Sequence, residues 1–177
     1  MKKLLTALLL VIIVMSSLSV CGCNTGDTAG GQVVAFADPN LEEFIRISIT
    51  KPEGAILAGD LERLTYLNAA QRNIADLKGL EHCPNLAQLY LDDNQLRDIT
   101  TLASLKRLKY LSLRINYIND STPLSSLSSL KSLNLYNNDI KDISPLSSLT
   151  NLISLDLGKT QITDISSLSP LTRLSNL

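Results

Sequence analysis

Residues Leu86–Arg107 read LAQLYLDDNQLRDITTLASLKR, and this stretch decides the fold because its leucine pattern returns every 22 residues. We number positions within a unit as offsets from its first leucine. That leucine recurs without insertion at Leu64, Leu86, Leu108, Leu130, Leu152 and Leu174. Leucine also stands at offset three of all six units, and an apolar residue stands at offset five of the first five.

This spacing predicts one short strand per unit. Alternate side chains of a strand face opposite ways, so offsets three and five point inward and offsets two, four and six face solvent. One unit cannot bury its leucines alone, whereas stacked units share a continuous core. The units are therefore expected to stack into a solenoid whose parallel strands lie about 4.8 Å apart.

The full pattern, LxxLxLxxNxL at a fixed period, is that of the leucine-rich repeat. The predicted fold class is an α/β solenoid, a right-handed leucine-rich repeat horseshoe with a parallel concave sheet. Residues 64–177 are expected to form five full turns and the start of a sixth.

Asparagine recurs at offset eight, where the chain turns inward after the strand. A buried amide there can supply donors and an acceptor to the backbone of neighbouring turns. We therefore predict a structural asparagine ladder of Asn94, Asn116 and Asn138. Thr160 at the same offset can replace part of this bonding, whereas Arg72 in the first unit cannot.

The N-terminus has the pattern of a secretory signal. Lys2 and Lys3 precede a short apolar run that is followed by small residues, which is typical of a signal peptide rather than a membrane span. The stretch Val-Cys-Gly-Cys at 20–23 resembles a bacterial lipobox. It implies a lipoprotein-type signal at 1–22 and lipidation of Cys23, with Cys21 or simple secretion as alternatives. Residues 23–35 are expected to be a flexible tether.

Residues 36–63 do not follow the repeat. Asp38 and Pro39 have the pattern of a helix N-cap followed by proline at the first helical position. The apolar face of this helix carries Leu41, Phe44 and Ile45. A second short helix is expected around residues 60–63. These features predict a helical N-terminal cap that covers the open end of the solenoid.

The opening FADPNLEEFIRISITKPEG and repeats such as NNDIKDISPLSSLTNLISLDL resemble the internalin-like bacterial leucine-rich repeat proteins. The resemblance covers residues 36–177. It implies a helical cap, short 3₁₀ turns on the convex side, and a concave sheet face that often binds a protein. No C-terminal immunoglobulin-like cap or cell-wall anchor is visible, which puts an invasion role in doubt.

Four of the five tyrosines fall on the predicted concave face. Tyrosine is enriched at binding hot spots, although it also suits strands and could simply cover the sheet. We predict a partner site for a protein, with a glycan as an alternative. Its residues are Tyr66, Tyr90, Tyr110 and Tyr136, with Asp92, Arg114 and Asp156 at the rim.

Aspartate stands at offset twelve in Asp76, Asp98, Asp120, Asp142 and Asp164. Stacked carboxylates could suggest calcium, but capping of the following tight turn explains them, and no Asp-x-Asp-x-Asp-Gly loop is present. We expect no metal and no cofactor. Ser121, in a slot held by leucine or isoleucine in the other turns, is expected to loosen the packing of its turn.

An enzyme is not expected. The single histidine, His82, lies beside Cys83, which occupies a leucine position and should be a buried apolar side chain. Without Lys2 and Lys3 the chain carries 14 basic and 17 acidic residues, so nucleic acid is not an expected partner.

The sequence therefore predicts a binding scaffold that is secreted across the cytoplasmic membrane and lipid-anchored on its outer side. The sixth unit carries no recognisable cap after Leu174, which suggests two alternatives. One is a structural protein that self-associates end to end, and the other is a truncated fragment of a longer surface adhesin.

Overall fold

The computed structural model describes residues 31–177 of the 177-residue chain. Two helices come first, α1 (Pro39–Ser48) and α2 (Ala58–Leu61). Five short strands follow at a constant interval: β1 (Tyr66–Asn68), β2 (Gln88–Tyr90), β3 (Tyr110–Ser112), β4 (Ser132–Asn134) and β5 (Ser154–Asp156). A 3₁₀ helix follows each strand: Leu80–His82, Thr100–Ser104, Thr122–Ser126, Ser144–Ser148 and Ser166–Leu168.

The five strands form one parallel sheet in sequence order, and residues 22 apart are paired in every register. The leucine at the centre of each strand is at most 2% exposed, because it points into the core that all turns share. The predicted leucine-rich repeat solenoid with a parallel sheet and 3₁₀ turns is confirmed. Within residues 31–177, no helix is both long and apolar enough to span a bilayer.

The aspartates at offset twelve cap the 3₁₀ turns. In each of the five turns, Oδ1 of this aspartate accepts a 2.8 Å hydrogen bond from the backbone N–H two residues later. The side chain and amide of Thr122 lower the pKa of Asp120 below its usual 3.8. The amide and hydroxyl of Ser166 do the same for the pKa of Asp164. The hydrogen bonds thus favour the ionised form of Asp120 and Asp164, and the aspartates of all five turns satisfy backbone donors on the convex side.

The asparagines at offset eight join each turn to the turn before it. Nδ2 of Asn116 donates to the Leu91 carbonyl of the preceding turn and to the Leu113 carbonyl of its own turn, both at 3.0 Å. Its Oδ1 accepts from the Leu96 amide at 3.0 Å. Asn94 and Asn138 make the equivalent bonds. Since all three side chains are at most 6% exposed, they satisfy backbone groups that water cannot reach.

At either end of this ladder another residue type stands at offset eight. Thr160 donates from Oγ1 to the Leu157 carbonyl at 2.7 Å, a bond within its own turn. Arg72 does not point inward. Its exposed guanidinium lies over the Phe44 ring of α1, with 4.8 Å between Cζ and the ring centroid. The long arginine thus covers an aromatic side chain of the cap.

Asp38 ties the cap to the first turn. Its Oδ1 accepts from the amides of Asn40 and Leu41, which caps α1, and its Oδ2 accepts from the amide of Ala75 at 2.7 Å. The carboxylate is 7% exposed. One buried side chain therefore serves two elements that are 37 residues apart in sequence.

Phe36 lies against the first 3₁₀ turn at a position that requires glycine. Gly79 has a φ of +108°, and a Cβ there would lie 2.5 Å from Cδ1 of Phe36. Gly79 therefore takes a conformation that other residues avoid and also lets the ring approach. Phe36 is 8% exposed, so this contact seals the cap onto the convex side of the repeats.

The cap departs from the sequence expectation at two boundaries. Residues 32–34, expected at the end of the tether, pair with the segment before α2: the Val34 amide donates to Ile56, and the Ala58 amide donates to Gln32. Val34 is 5% exposed, because burying it extends the apolar contacts of the cap. The second helix spans Ala58–Leu61 rather than 60–63, since Asp60 accepts from the Leu57 amide and so lies in its first turn.

Ser121 makes a buried hydrogen bond that the sequence did not predict. It is 2% exposed, and its hydroxyl donates to the Asp142 carbonyl of the next turn at 2.9 Å. A specific hydrogen bond between turns therefore takes the place of the methyl contacts that leucine or isoleucine makes in neighbouring turns. The repeat pattern indicates the lost apolar volume at Ser121 but not this bond, because its partner lies in the next turn.

Every turn passes through a left-handed residue at offset seven. The φ angles lie between +53° and +58° at Gln71, Asp93, Ile115, Asn137 and Lys159. Asparagine and aspartate tolerate this conformation, whereas a β-branched residue adopts it only with steric strain. Ile115 is therefore the strained member of the set.

Replacing Asn116 with alanine is expected to lower the free energy of unfolding by about 2–4 kcal/mol, because buried backbone groups in two turns lose their partners. Urea denaturation of the full chain measures this change. The control is Asn119→Ala, at an exposed position in the same turn, which should change stability by less than about 0.5 kcal/mol. Equal effects of the two substitutions would contradict the ladder.

Exchanging the residues at offset seven tests the strain at Ile115. Asn137→Ile should lose about 1–2 kcal/mol, because it places a β-branched residue in the left-handed region. Ile115→Asn should gain up to about 1 kcal/mol, reduced by the apolar contacts of a half-buried side chain. Thermal unfolding of both variants measures the two shifts. A loss of stability in Ile115→Asn would show that backbone strain is not the dominant effect there.

Candidate functional site

The strands place offsets two, four and six on the solvent side of the sheet, which we call the concave face. Of its tyrosines, Tyr66 is 50% exposed and Tyr110 is 40% exposed, whereas Tyr90 and Tyr136 are half-buried. The backbone positions of Tyr66, Tyr90 and Tyr110 follow from the register, since each strand contributes the same offsets and neighbours are paired 22 residues apart. The tyrosines form two groups along the sheet.

The first group lies on β1 to β3. The rings of Tyr66 and Tyr90 have centroids 5.8 Å apart and are tilted by 51°, an arrangement typical of favourable aromatic pairs. Tyr110 follows on β3, where its Cα is paired with Gln88. This end of the concave face is therefore a largely aromatic surface with amide groups beside it.

The second group is centred on Tyr136, just beyond the end of β4. Two cations lie over its ring: Cζ of Arg114 is 5.6 Å and Nζ of Lys159 is 5.4 Å from the centroid. Gly158 makes room for the ring, because a Cβ there would lie 2.8 Å from Cδ2 of Tyr136. The geometry is that of a cation–π cluster at the carboxyl end of the strands.

Lys159 was not among the residues expected from the sequence. The leucine pattern gives no information on offset seven, where Lys159 adopts a left-handed conformation and its side chain lies over offset six of the preceding turn. One signal in the sequence could have identified Lys159. Arg114, Tyr136 and Lys159 stand at offsets six, six and seven of adjacent turns, which places them near the same edge of the sheet.

The two expected acidic rim residues are engaged by the protein itself. Oδ1 of Asp92 accepts from the Ser112 hydroxyl and from the Arg114 amide, and Oδ1 of Asp156 accepts from the Gly158 amide at 3.0 Å. Ser112 is 8% exposed although its offset was expected to face solvent, because it lies under this bond. Asp92 and Asp156 therefore shape the turns beside the tyrosines and are brought next to, rather than between, the rings.

The fifth tyrosine, Tyr117, lies off the concave face at offset nine. It is 49% exposed, and Cζ of Arg97 lies 5.0 Å from its ring centroid. A tyrosine of similar exposure with a similar cation contact thus exists outside the candidate site.

The described residues offer few groups suited to proton transfer or nucleophilic attack. Cys83 is fully buried, and this burial raises the pKa of its thiol to about 12, so the thiol stays protonated near neutral pH. No cluster of three or more histidine, cysteine, aspartate or glutamate side chains suited to a metal occurs in residues 31–177. What the concave face offers is contact area, hydrogen bonds and cation–π pairs.

Comparison with known proteins agrees with this architecture. The family model of leucine-rich repeats in two copies matches residues 62–104 and 128–170. The crystal structure of the internalin inlF of Listeria monocytogenes has 37% identity and a TM-score of 0.78, over 80% of this chain and 43% of that chain. That of internalin C2 of the same organism has 34% identity and a TM-score of 0.78, over 80% of this chain and 64% of that chain.

A more distant match is the plant peptide hormone receptor RGFR1 in complex with RGF2, with 29% identity and a TM-score of 0.52 over 56% of this chain and 17% of that chain. The chain thus spans less than two thirds of the length of each of these three structures. Repeat solenoids of this kind commonly present an extended concave surface to a protein partner. With its exact 22-residue repeats, helical cap and similarity to two internalins, the chain is an internalin-like bacterial leucine-rich repeat protein.

Proposed function

We propose that this protein is a non-catalytic, membrane-tethered binding scaffold that works outside the cytoplasm and recognises a protein through its concave face. The observation that carries the proposal is the concentration of four of five tyrosines on that one solvent-facing surface. Tyrosine offers a large contact area with a polar tip at low entropic cost, which is why it is enriched at hot spots.

Strand formation alone does not account for these tyrosines. Offset two holds Tyr66 and Tyr110 in β1 and β3 but Ser132 and Ser154 in β4 and β5, with the same pairing register throughout. The sheet therefore tolerates serine where it carries half-exposed tyrosine. An exposed aromatic ring is not required at this position, because a small polar residue can fill it. Its presence there supports a binding role.

The chemistry of the face favours a polypeptide partner. The pair of Tyr66 and Tyr90, with Tyr110 beyond it, offers apolar contact, and the cations around Tyr136 offer charge at the other end. The receptor RGFR1 in complex with RGF2, a structural relative, is an example of a repeat solenoid with a peptide hormone. A glycan that stacks on the tyrosines is the alternative occupant.

Location outside the cytoplasm rests on the N-terminal sequence. The signal pattern of residues 1–22, the lipidation of Cys23 and residues 23–30 of the tether lie outside the described residues. We propose that Cys23, or alternatively Cys21, carries acyl chains that hold the repeats at the outer side of the membrane. Secretion without an anchor is the alternative.

Alanine at Tyr66, Tyr90 and Tyr110 together should reduce partner capture at least about a hundredfold, since hot-spot side chains each contribute 2 kcal/mol or more by truncation and about 1.4 kcal/mol is tenfold in affinity. The measurement immobilises the full chain, exposes it to labelled extracellular proteins, and quantifies by mass spectrometry those retained by the native chain.

Tyr117→Ala is the matched control, because it removes an equally exposed tyrosine from outside the concave face and should leave capture unchanged. Far-UV circular dichroism should be the same for all variants. If the triple variant retains the same proteins as the native chain, or if the native chain retains none, the proposed function is wrong.

A further inference from the structure

After the first repeat, which has Glu81 at offset seventeen, the acidic residues are confined to one edge of the sheet. That edge also carries the basic residues Arg97, Arg114, Lys141 and Lys159, whereas the charged residues of the other edge are all basic. From Leu91 to Leu177 the chain carries eight acidic residues, and all of them lie at offsets four to twelve, from the end of the strand to the start of the 3₁₀ turn. The remaining offsets contain five basic residues and no acidic residue. These five are Lys106, Arg107, Lys109, Lys131 and Arg173, which we call the basic edge.

The fold brings these residues to one place. They stand at offsets twenty, twenty-one and one, directly before the strands, and parallel strands all begin at the same edge of a sheet. The Lys131 amide donates to the Lys109 carbonyl at 2.8 Å, so these two lysines are neighbours about 4.8 Å apart across adjacent turns. All five side chains are exposed.

No carboxylate neutralises this edge. Among residues 31–177 the ion pairs within 4.0 Å are Arg46 with Glu42 and Lys51 with Asp60, both in the cap. The polar partners of the basic edge are neutral: Arg107 donates to the Asn85 side chain, Arg173 donates to the Asn151 side chain, and Lys106 donates to a backbone carbonyl. These bonds hold the side chains along the edge without cancelling their charge.

We propose that the basic edge rests on a membrane surface of anionic lipid headgroups. A lipid surface needs only a row of accessible positive charge, and three of the five residues are lysine, which is depleted at protein interfaces. Ile153, 42% exposed, stands at the same offset as Lys109 and Lys131 and can insert between headgroups. The net negative charge of the chain disfavours nucleic acid as the occupant.

The length of the tether agrees with this contact. Cys23 and Gly31 are eight positions apart in the sequence, and a fully extended chain of eight steps spans at most about 29 Å. The repeats of an anchored chain would therefore stay within reach of the bilayer. The inference rests on the membrane attachment in the proposed function, and it is independent of the tyrosines.

The contact would also orient the molecule. With the amino ends of the strands toward the bilayer, the sheet stands upright and its concave face opens to the side. The acidic offsets would then point away from the anionic surface, which adds electrostatic repulsion against the inverted orientation. The basic edge thus presents the tyrosines to a partner instead of contacting that partner itself.

Lysine acetylation of the full chain on vesicles tests this orientation. The chain is bound to vesicles of phosphatidylglycerol or of phosphatidylcholine, its attachment to both is verified by flotation, and brief acetylation is quantified by mass spectrometry. Lys106, Lys109 and Lys131 should react at least about fivefold more slowly on phosphatidylglycerol, and the difference should vanish at high salt. Lys141 and Lys159, at the opposite edge, should react equally on both.

Paired variants separate charge from position. The double variant Lys109→Ser with Lys131→Ser introduces serine, which the chain itself has at this offset in Ser175. In this variant, the acetylation rate of Lys106 on phosphatidylglycerol should rise to the rate seen on phosphatidylcholine. The control, Lys141→Thr with Lys159→Asn, uses the residues at the same offsets in Thr163 and Asn137, and it should leave the protection of Lys106 intact.

Three results would overturn the proposal: equal acetylation of the basic edge on both vesicles, equal slowing at both edges, or protection by soluble polyglutamate but not by phosphatidylglycerol. The last result would identify an acidic polypeptide as the occupant. Failure to float with either vesicle would instead refute the membrane attachment in the proposed function. The capture assay with the tyrosine variants tests the concave face separately, and its result does not bear on the lipid contact.

Discussion

The structure depends on contact between turns that are 22 residues apart, because no turn is stable by itself. Each turn offers a strand of only three residues, and its central leucine and its inward amide are buried only by the neighbouring turns. Leucine at offset three provides the apolar contact, and asparagine at offset eight provides the hydrogen bonds for backbone groups that leave the sheet. An apolar residue in place of the asparagine would satisfy the first requirement and violate the second.

The same constraint explains how the first turn is completed. It has no preceding turn to receive hydrogen bonds, and the cap supplies substitutes: Asp38 accepts from Ala75, Arg72 turns outward onto Phe44, and Phe36 packs on Gly79. Interior positions are thereby fixed by the repeat, whereas outward offsets are free to vary. These outward offsets can therefore carry tyrosines, cations and the basic edge without disturbing the packing of the core.

Much of the fold follows from the sequence because the period never changes. A constant interval determines the strand register, the inward leucines and the outward tyrosines, so residues such as Leu111 and Tyr110 could be placed by counting. Features that depend on contacts outside the period could not be. The double role of Asp38, the pairing of Val34 with Ile56 and the buried hydrogen bond of Ser121 each involve partners that no repeat pattern specifies.

The candidate site shows the same division. Counting predicts that Tyr90 and Tyr136 share a face, but not that Tyr66 pairs with Tyr90 or that Lys159 reaches over Tyr136. These contacts depend on rotamers and on a left-handed turn residue. The repeat pattern likewise does not predict that the carboxylate of Asp92, expected at the rim, accepts bonds from Ser112 and Arg114.

Amide hydrogen exchange of the intact chain tests the central claim most directly. The amides of Ile74, Leu96 and Ile118 lie outside the strands and donate to the side chains of the asparagine in the next turn. If inter-turn asparagine bonds hold the solenoid together, these three amides should exchange as slowly as those of Leu91 and Leu113 beside the strands, and all should open cooperatively. Exchange at the rate of exposed loop amides would contradict the account.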